Sequence, residues 1–257
     1  MATEAPLAGV VAVVTGAAGN LGPVWISALS AAGARVGGID LNAGELPDGT
    51  PVEAADVTDR AALEAARDRI HERLGAPGVL VNNAGIDQPP DAAARRYLIE
   101  DVPLDDFRRT IDVNLAGTFN AIQVFGPAMV AAGRGSIVNI GSLYAGIAPE
   151  PAFYEHFEGD PPFLKPAAYG ASKAGVVNLT RYFARLWGPH GVRVNAISPG
   201  GVAGGQDPEF LTKYCARVPL RRMAEPADLG APLVFLASEA SRYVTGHELR
   251  VDGGFTA

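Results

Sequence analysis

The stretch Val10-Val11-Ala12-Val13-Val14-Thr15-Gly16-Ala17-Ala18-Gly19-Asn20-Leu21-Gly22 decides the fold. Its first five residues are a short apolar run rich in β-branched side chains, the pattern of a parallel strand buried on both faces. Residues 21–32 read as a helix that Gly33 ends. Strand, glycine turn and helix N-terminus in this order predict a cradle for a dinucleotide pyrophosphate. Glycines let the backbone approach the phosphates, and the helix N-terminus supplies N–H donors and positive potential. The candidate contacts are Gly16, Gly19, Asn20, Leu21 and Gly22.

A second strand, 34–39, runs into Asp40, about twenty positions beyond the turn. An acidic residue at that place grips an adenosine ribose through its hydroxyls. With Leu41 it forms the candidate ribose site. The carboxylate repels a 2′-phosphate, and no Lys or Arg stands at 41, 42 or within the turn to attract one. The expected cofactor is NAD rather than NADP.

Outward from this unit, strands are expected at 51–54, 78–82, 135–141, 191–197 and 247–251. Helices are expected at 59–74, 105–131, 167–188 and 226–237. The alternation predicts a single-domain α/β fold, a doubly wound parallel sheet of about seven strands with helices on both faces. No repeat or interdomain linker interrupts 1–257.

At the far end, Tyr169 and Lys173 stand at i, i+4 in Tyr169-Gly170-Ala171-Ser172-Lys173, which stacks a phenol and an ammonium on one helical face. A cation beside a phenol favours the phenolate, making tyrosine usable as an acid or base near neutral pH. Such a pair also occurs by chance on solvated helices, so the glycine turn is what gives it weight.

Together these motifs make the chain resemble the short-chain dehydrogenase/reductase family over nearly all its length, with a Rossmann-type fold. Asp56-Val57 matches the family's adenine-contacting pair. Asn82-Asn83-Ala84-Gly85 matches its motif after the fourth strand, with Asn83, Ala84 and Gly85 toward the cofactor. Asn114, in Ile111-Asp112-Val113-Asn114, matches the catalytic-relay asparagine, and Ser142 matches the catalytic serine. Ser198-Pro199-Gly200 matches the loop bordering the nicotinamide, where Pro199, Gly200 and Val202 are candidate contacts.

The resemblance implies catalysis by Asn114, Ser142, Tyr169 and Lys173. Tyr169 exchanges the proton of a secondary alcohol. Lys173 lowers the phenol's pKa and binds the nicotinamide ribose. Ser142 orients the substrate oxygen, and Asn114 holds a water linking Lys173 to solvent. Tyr144 and Gly201 join Ser142 and Tyr169 as candidate substrate contacts, although Tyr144 has a purely structural alternative. One departure lies in the turn, where Asn20 replaces the family's second glycine. Asparagine tolerates left-handed backbone angles, which would keep the turn's shape.

The second departure is length. Twenty-six residues separate Ser142 from Tyr169, about twice the family's usual spacing. The excess predicts an active-site insertion at 147–166. Its prolines and aromatic residues suit a specificity wall, and Glu150, Glu155, His156, Glu158 and Asp160 offer hydrogen bonds to a hydroxylated ligand. The alternative is an excursion packed on the protein or a neighbouring subunit. Residues 201–216 correspond to the family's mobile substrate loop, and their glycines and polar groups point to a polyol, sugar-derived or cyclic secondary alcohol. A 3-oxoacyl thioester reductase and a non-catalytic dinucleotide-binding regulator are the competing readings. Asp40 weakens the first, and the complete set of four catalytic residues weakens the second.

Composition sets the outer bounds. A chain of 257 residues with 48% apolar content suits one sizeable core, and a net charge of −7 argues against nucleic acid or an anionic membrane as partner. The single Cys215 excludes an internal disulfide and suits a reducing cytoplasm. His71, His156, His190 and His247 show no metal-ligand spacing, so no metal is expected. Met1-Ala2-Thr3-Glu4-Ala5-Pro6 lacks the basic and apolar regions of a secretory signal. Val176, Val177, Leu179, Phe183, Leu186 and Trp187 exceed what one sheet-facing stripe requires. With the family's habit of pairing these helices between subunits, they predict a homotetramer.

Overall fold

The computed structural model describes residues 5–88 and 96–257; residues 1–4, part of the sequence reading about a leader, lie outside them. Among the described residues eight strands are formed: β1 (Val11–Thr15), β2 (Arg35–Asp40), β3 (Gly44–Glu45), β4 (Pro51–Ala54), β5 (Val79–Asn82), β6 (Gly135–Ile140), β7 (Val192–Pro199) and β8 (Glu248–Val251). They make one sheet in the order β3-β4-β2-β1-β5-β6-β7-β8. Every pairing is parallel except β3 with β4. The seven expected strands are therefore joined by an eighth. With two residues, β3 is too short to show any alternation, and only its antiparallel partner defines it.

The helices are α1 (Gly22–Ala31), α2 (Arg60–Leu74), α3 (Leu104–Ile111), α4 (Gly117–Ala131), α5 (Ala167–Trp187), α6 (Pro208–Arg217) and α7 (Pro226–Ala237). Alternate strand residues feed opposite faces of the sheet, as the period of two requires. Ala12 and Val14 meet Trp25, Ile26 and Leu29 of α1 and Leu229, Leu233 and Leu236 of α7. Val13, Leu80 and Ile137 meet Leu63 and Ile70 of α2, Ile122 and Phe125 of α4 and Phe183 of α5. Two apolar layers thus hold a sheet covered on both sides.

Two elements differ from the sequence reading. The single helix expected at 105–131 is broken by a π-turn, Asp112–Ala116, between α3 and α4. The turn is closed by the Gly117 N–H donating to the Asp112 carbonyl. The part of the expected substrate loop beyond Asp207 is helical. Asp207 accepts from the N–H groups of Glu209 at 2.9 Å and Phe210 at 3.0 Å, and Pro208 opens α6. An acidic N-cap followed by proline is a helix start, a signal that the glycines at 200, 201, 204 and 205 obscured.

The strand order reverses between β1 and β5, which places a crevice at their carboxyl ends. The glycine turn and Asn82-Asn83-Ala84-Gly85 flank it. No helix among the described residues is long and apolar enough to cross a membrane.

Candidate active site

The glycine turn is locked to the neighbouring strand end by side chains outside the glycine pattern. Thr15 Oγ1 accepts from the N–H groups of Asn83 and Ala84, both at 3.1 Å. Asn83 Nδ2 donates to the carbonyls of Thr15 at 3.1 Å and Gly16 at 2.9 Å, and Trp25 Nε1 donates to Asn83 Oδ1 at 2.8 Å. Gly16 adopts φ +65°, and a Cβ there would lie 2.8 Å from Ala84 Cα. A Cβ on Gly22 would lie 2.4 Å from the Gly16 carbonyl oxygen. Both positions therefore require glycine.

Among the described residues the only non-glycine with positive φ is Arg221, so Asn20 does not use the left-handed angles expected of it. Gly16 alone makes the reversal, which leaves Asn20 in ordinary backbone geometry. The α1 N-terminus has no side-chain cap and no acidic residue in its first turn. Its N–H donors are thus left for an anionic ligand, and the cradle fits a dinucleotide pyrophosphate.

At the mouth of the turn, Asp40 Oδ2 accepts from Ala18 N–H at 2.9 Å and Oδ1 from Leu41 N–H at 2.8 Å. Both oxygens are oriented by backbone, while the Leu41 side chain is exposed. Asp56 Oδ1 accepts from Thr58 N and Oγ1, both at 2.8 Å, and Val57 is buried. On the other flank, Gly201 N–H donates to the Tyr214 hydroxyl at 2.5 Å. Val202 bridges to Ala224, which holds the segment after Pro199 and Gly200 against the body of the protein.

The four candidate catalytic residues come together from three places in the fold. Ser142 follows β6, and Tyr169 and Lys173 lie on one face of α5 with Lys173 Nζ 5.8 Å from the Tyr169 ring centroid. The Ser142 side chain lies near enough to the Tyr169 hydroxyl to act on its protonation. Buried Lys173 donates to the Ile140 carbonyl at 2.8 Å. Asn114 sits in the π-turn, fully buried. Its Oδ1 accepts from Ile86 N–H at 2.8 Å, and its Nδ2 donates to the Ile86 carbonyl at 3.0 Å and Ser172 Oγ at 3.1 Å. Gly85 separates Asn114 Oδ1 from Lys173 Nζ.

Burial dominates the electrostatics of the pair. Burial pushes the Tyr169 phenol above its ordinary value, Asp87 adds to the rise, and the nearby Ser142 side chain opposes it. Burial also brings the Lys173 ammonium down to about 8, with Asp87 opposing. Ser142 favours the phenolate, and burial disfavours the charged form of both groups.

Residues 147–166 pack against α6. Phe153, Tyr154 and Phe163 are buried with Leu143, Phe210, Tyr214, Val218 and Met223 in one cluster. His156 Nε2 pairs with Asp207 Oδ1 at 2.8 Å, and Glu150 with Arg217 at 3.5 Å. Two of the polar groups expected to face a ligand are thus engaged with α6. Tyr144, the expected wall, meets the Tyr154 hydroxyl at 3.2 Å. The sequence reading missed Tyr214, Trp25 and Thr15 as supporting residues. Only Thr15 carried a signal, its place before the first glycine. Asp87 and Lys165, also missed, form an ion pair at 2.5 Å.

Fold and cradle together define a nucleotide-binding α/β enzyme scaffold, and comparison with known proteins gives the family. A family model described as enoyl-(acyl carrier protein) reductase matches residues 16–256. A D-threitol dehydrogenase of Mycolicibacterium smegmatis is 36% identical over 97% of this chain and 94% of its own. A galactitol 2-dehydrogenase (L-tagatose-forming) of Cereibacter sphaeroides is 39% identical over 97% and 96%. A short-chain dehydrogenase of Leptospira borgpetersenii with bound NAD+ superposes with a TM-score of 0.87 at 30% identity, covering 100% of this chain and 96% of its own. A gluconate 5-dehydrogenase of Burkholderia cenocepacia in complex with NADP and tartrate gives 0.83 at 30% identity, covering 98% and 97%. The chain belongs to the short-chain dehydrogenase/reductase family.

Proposed function

We propose that the protein is an NAD-dependent dehydrogenase that interconverts a secondary alcohol and a ketone, with a polyol, sugar-derived or cyclic alcohol as substrate. The observation that carries the reading is the convergence of Ser142, Tyr169 and Lys173 beside the uncapped α1 cradle. The names of the threitol and galactitol relatives support the substrate class.

The cofactor, when bound, supplies the hydride acceptor and, in its oxidised form, a positive charge beside the phenol. Ser142 holds the substrate oxygen, and Tyr169 takes its proton as the C–H bond breaks and returns it in reduction. Lys173, anchored by the Ile140 carbonyl, keeps donors free for the nicotinamide ribose and for a water. The second lone pair of Asn114 Oδ1, across Gly85, holds that water and links the site to solvent. Asp40 accepts the adenosine ribose hydroxyls. Its oriented carboxylate supports NAD over NADP, although a structural relative holds NADP. Residues 147–166 and α6 form the substrate wall, Tyr144 presenting its hydroxyl from one side.

The test is reduced-cofactor formation at a single wavelength with alditols, cyclohexanol and other secondary alcohols, using NAD and NADP in parallel. Activity with NAD and an alditol or cyclic alcohol is expected. Failure with every secondary alcohol and both cofactors refutes the assignment.

A further inference from the structure

Beside the catalytic pair lies a second polar pair that the proposed chemistry does not use. Lys165 is the only Lys or Arg between 147 and 166, and its side chain is 8% exposed. Its ammonium donates to Asp87 Oδ2 at 2.5 Å and to the Gln88 carbonyl at 3.2 Å. It lies 5.4 Å from the centroid of the Tyr169 ring, on the reacting residue itself. An ammonium has three donors, and these contacts occupy two. Asp87 spends Oδ1 on the Gln88 N–H at 2.8 Å and keeps lone pairs in a side chain that is 38% exposed. The Tyr144 and Tyr154 hydroxyls form the neighbouring wall, and burial holds both phenols neutral. Lys165, Asp87 and Tyr144, from three separate segments, thus gather near Tyr169, with the Tyr154 hydroxyl on Tyr144.

We propose that Asp87 and Lys165 form a specificity pair that receives a second hydroxyl of the substrate and selects a neutral polyol over an alcohol bearing a carboxylate.

The inference rests on the alcohol dehydrogenase reading and deepens it. A hydroxyl both donates and accepts, so it is satisfied by a carboxylate and an ammonium held side by side: Asp87 accepts its proton and Lys165 donates to its oxygen. A substrate carboxylate has no proton to give Asp87, and the Lys165 charge is already matched. Binding it would set two anions against one ammonium, which costs affinity. A simple staple between the two loops would involve the same contact, and it would affect all substrates alike.

The experiment measures kcat/KM for threitol or galactitol, the matching aldonate, and cyclohexanol, with the parent protein, Lys165→Met and Asp87→Asn. Melting temperature and NADH binding by fluorescence establish that the variants are folded. The parent is expected to prefer the alditol to its aldonate. Lys165→Met should lower the alditol-to-cyclohexanol ratio about tenfold or more, the usual scale for losing a charged hydrogen bond to a ligand. Asp87→Asn, which releases the Lys165 charge, should raise the aldonate-to-alditol ratio by about the same factor.

A parent that uses the aldonate as well as the alditol overturns the proposal, as do variants whose ratios stay within about twofold of the parent. If Lys165→Met does not fold, Lys165→Gln and the Asp87→Asn ratio decide. Turnover of cyclohexanol without any alditol refutes the pair and leaves the dehydrogenase assignment standing. No turnover of any secondary alcohol refutes that assignment instead.

Discussion

Tyr169 and Lys173 sit four residues apart on one helical face, yet burial moves their protonation in opposite directions. The phenol is raised and the ammonium is lowered to about 8. If Tyr169 carries the proton, Tyr169→Phe removes one oxygen and nothing else. Turnover should fall at least about 100-fold, the lower end of general acid–base catalysis, while NADH affinity is kept. A variant retaining more than about a tenth of the activity would show that another group is the base. Lys173 also has a stability signature. Its folded pKa lies below its unfolded value, so between about pH 8 and 10.5 the unfolded chain binds more protons, and stability rises with pH across that window. Below pH 8 the full penalty of the buried charge is present. The melting-temperature difference between Lys173→Met and the parent should therefore shift in the parent's favour from pH 7 to 9.5. A pH-independent difference would contradict the buried ammonium. At Asp40, both carboxylate oxygens are set by backbone donors, so the preference for NAD should be strong. Parent efficiency with NADP equal to that with NAD would overturn this.

At the scale of elements, residues 147–166 and α6 act as one unit. Phe153 contacts Phe210, Tyr214 and Phe255 with ring centroids 5.8–6.2 Å apart, and it is buried. Truncating it opens a cavity between the segment and the helix behind the loop that starts at Gly200. Phe153→Ala should cost roughly 3–5 kcal/mol if the cluster unfolds with the rest of the protein. It should also raise KM for the alcohol without changing NADH affinity, because the cradle lies beyond the cluster. Calorimetry and cofactor titration of one preparation test both. Weakened NADH binding with unchanged KM would mean that the segment supports the cradle rather than the wall.

For the whole molecule, we propose a homotetramer, on grounds that differ from those the sequence suggested. Val176, Val177 and Phe183 are buried within their own subunit, and Trp187 packs on Phe183 with centroids 4.7 Å apart. Most of the apolar excess on α5 is therefore intramolecular core. What stays exposed is Tyr182 and Leu186 on α5, Phe119 on α4, and Leu104 and Phe107 on α3. Leu186→Glu with Tyr182→Glu should halve the mass seen by light scattering. A parent that is monomeric at micromolar concentration would contradict the tetramer.

The seven expected strands and four of the expected helices were legible to within two residues because each carries its own signal. The β-branched runs of β1 and β5, the glycine turn and the i, i+4 pair of α5 are local patterns, and local sterics and hydrogen bonding interpret them without help. Gly16, Asp40, Tyr169 and Lys173 were named as candidates for that reason, and Ser142 through the family resemblance. Contacts between distant segments were not legible. The π-turn that buries Asn114 follows from packing against Ile86 and Ser172, and no residue within 105–131 announces it. The polar residues of 147–166 suggested a ligand, but the tertiary structure gives His156 and Glu150 to α6. Asp87 and Lys165 are unremarkable surface residue types, 78 positions apart. A chain pattern records which backbone geometry each segment prefers. Which side chains share a low-dielectric space, and hence which charges are matched and which protons shift, is decided only when the segments are brought together.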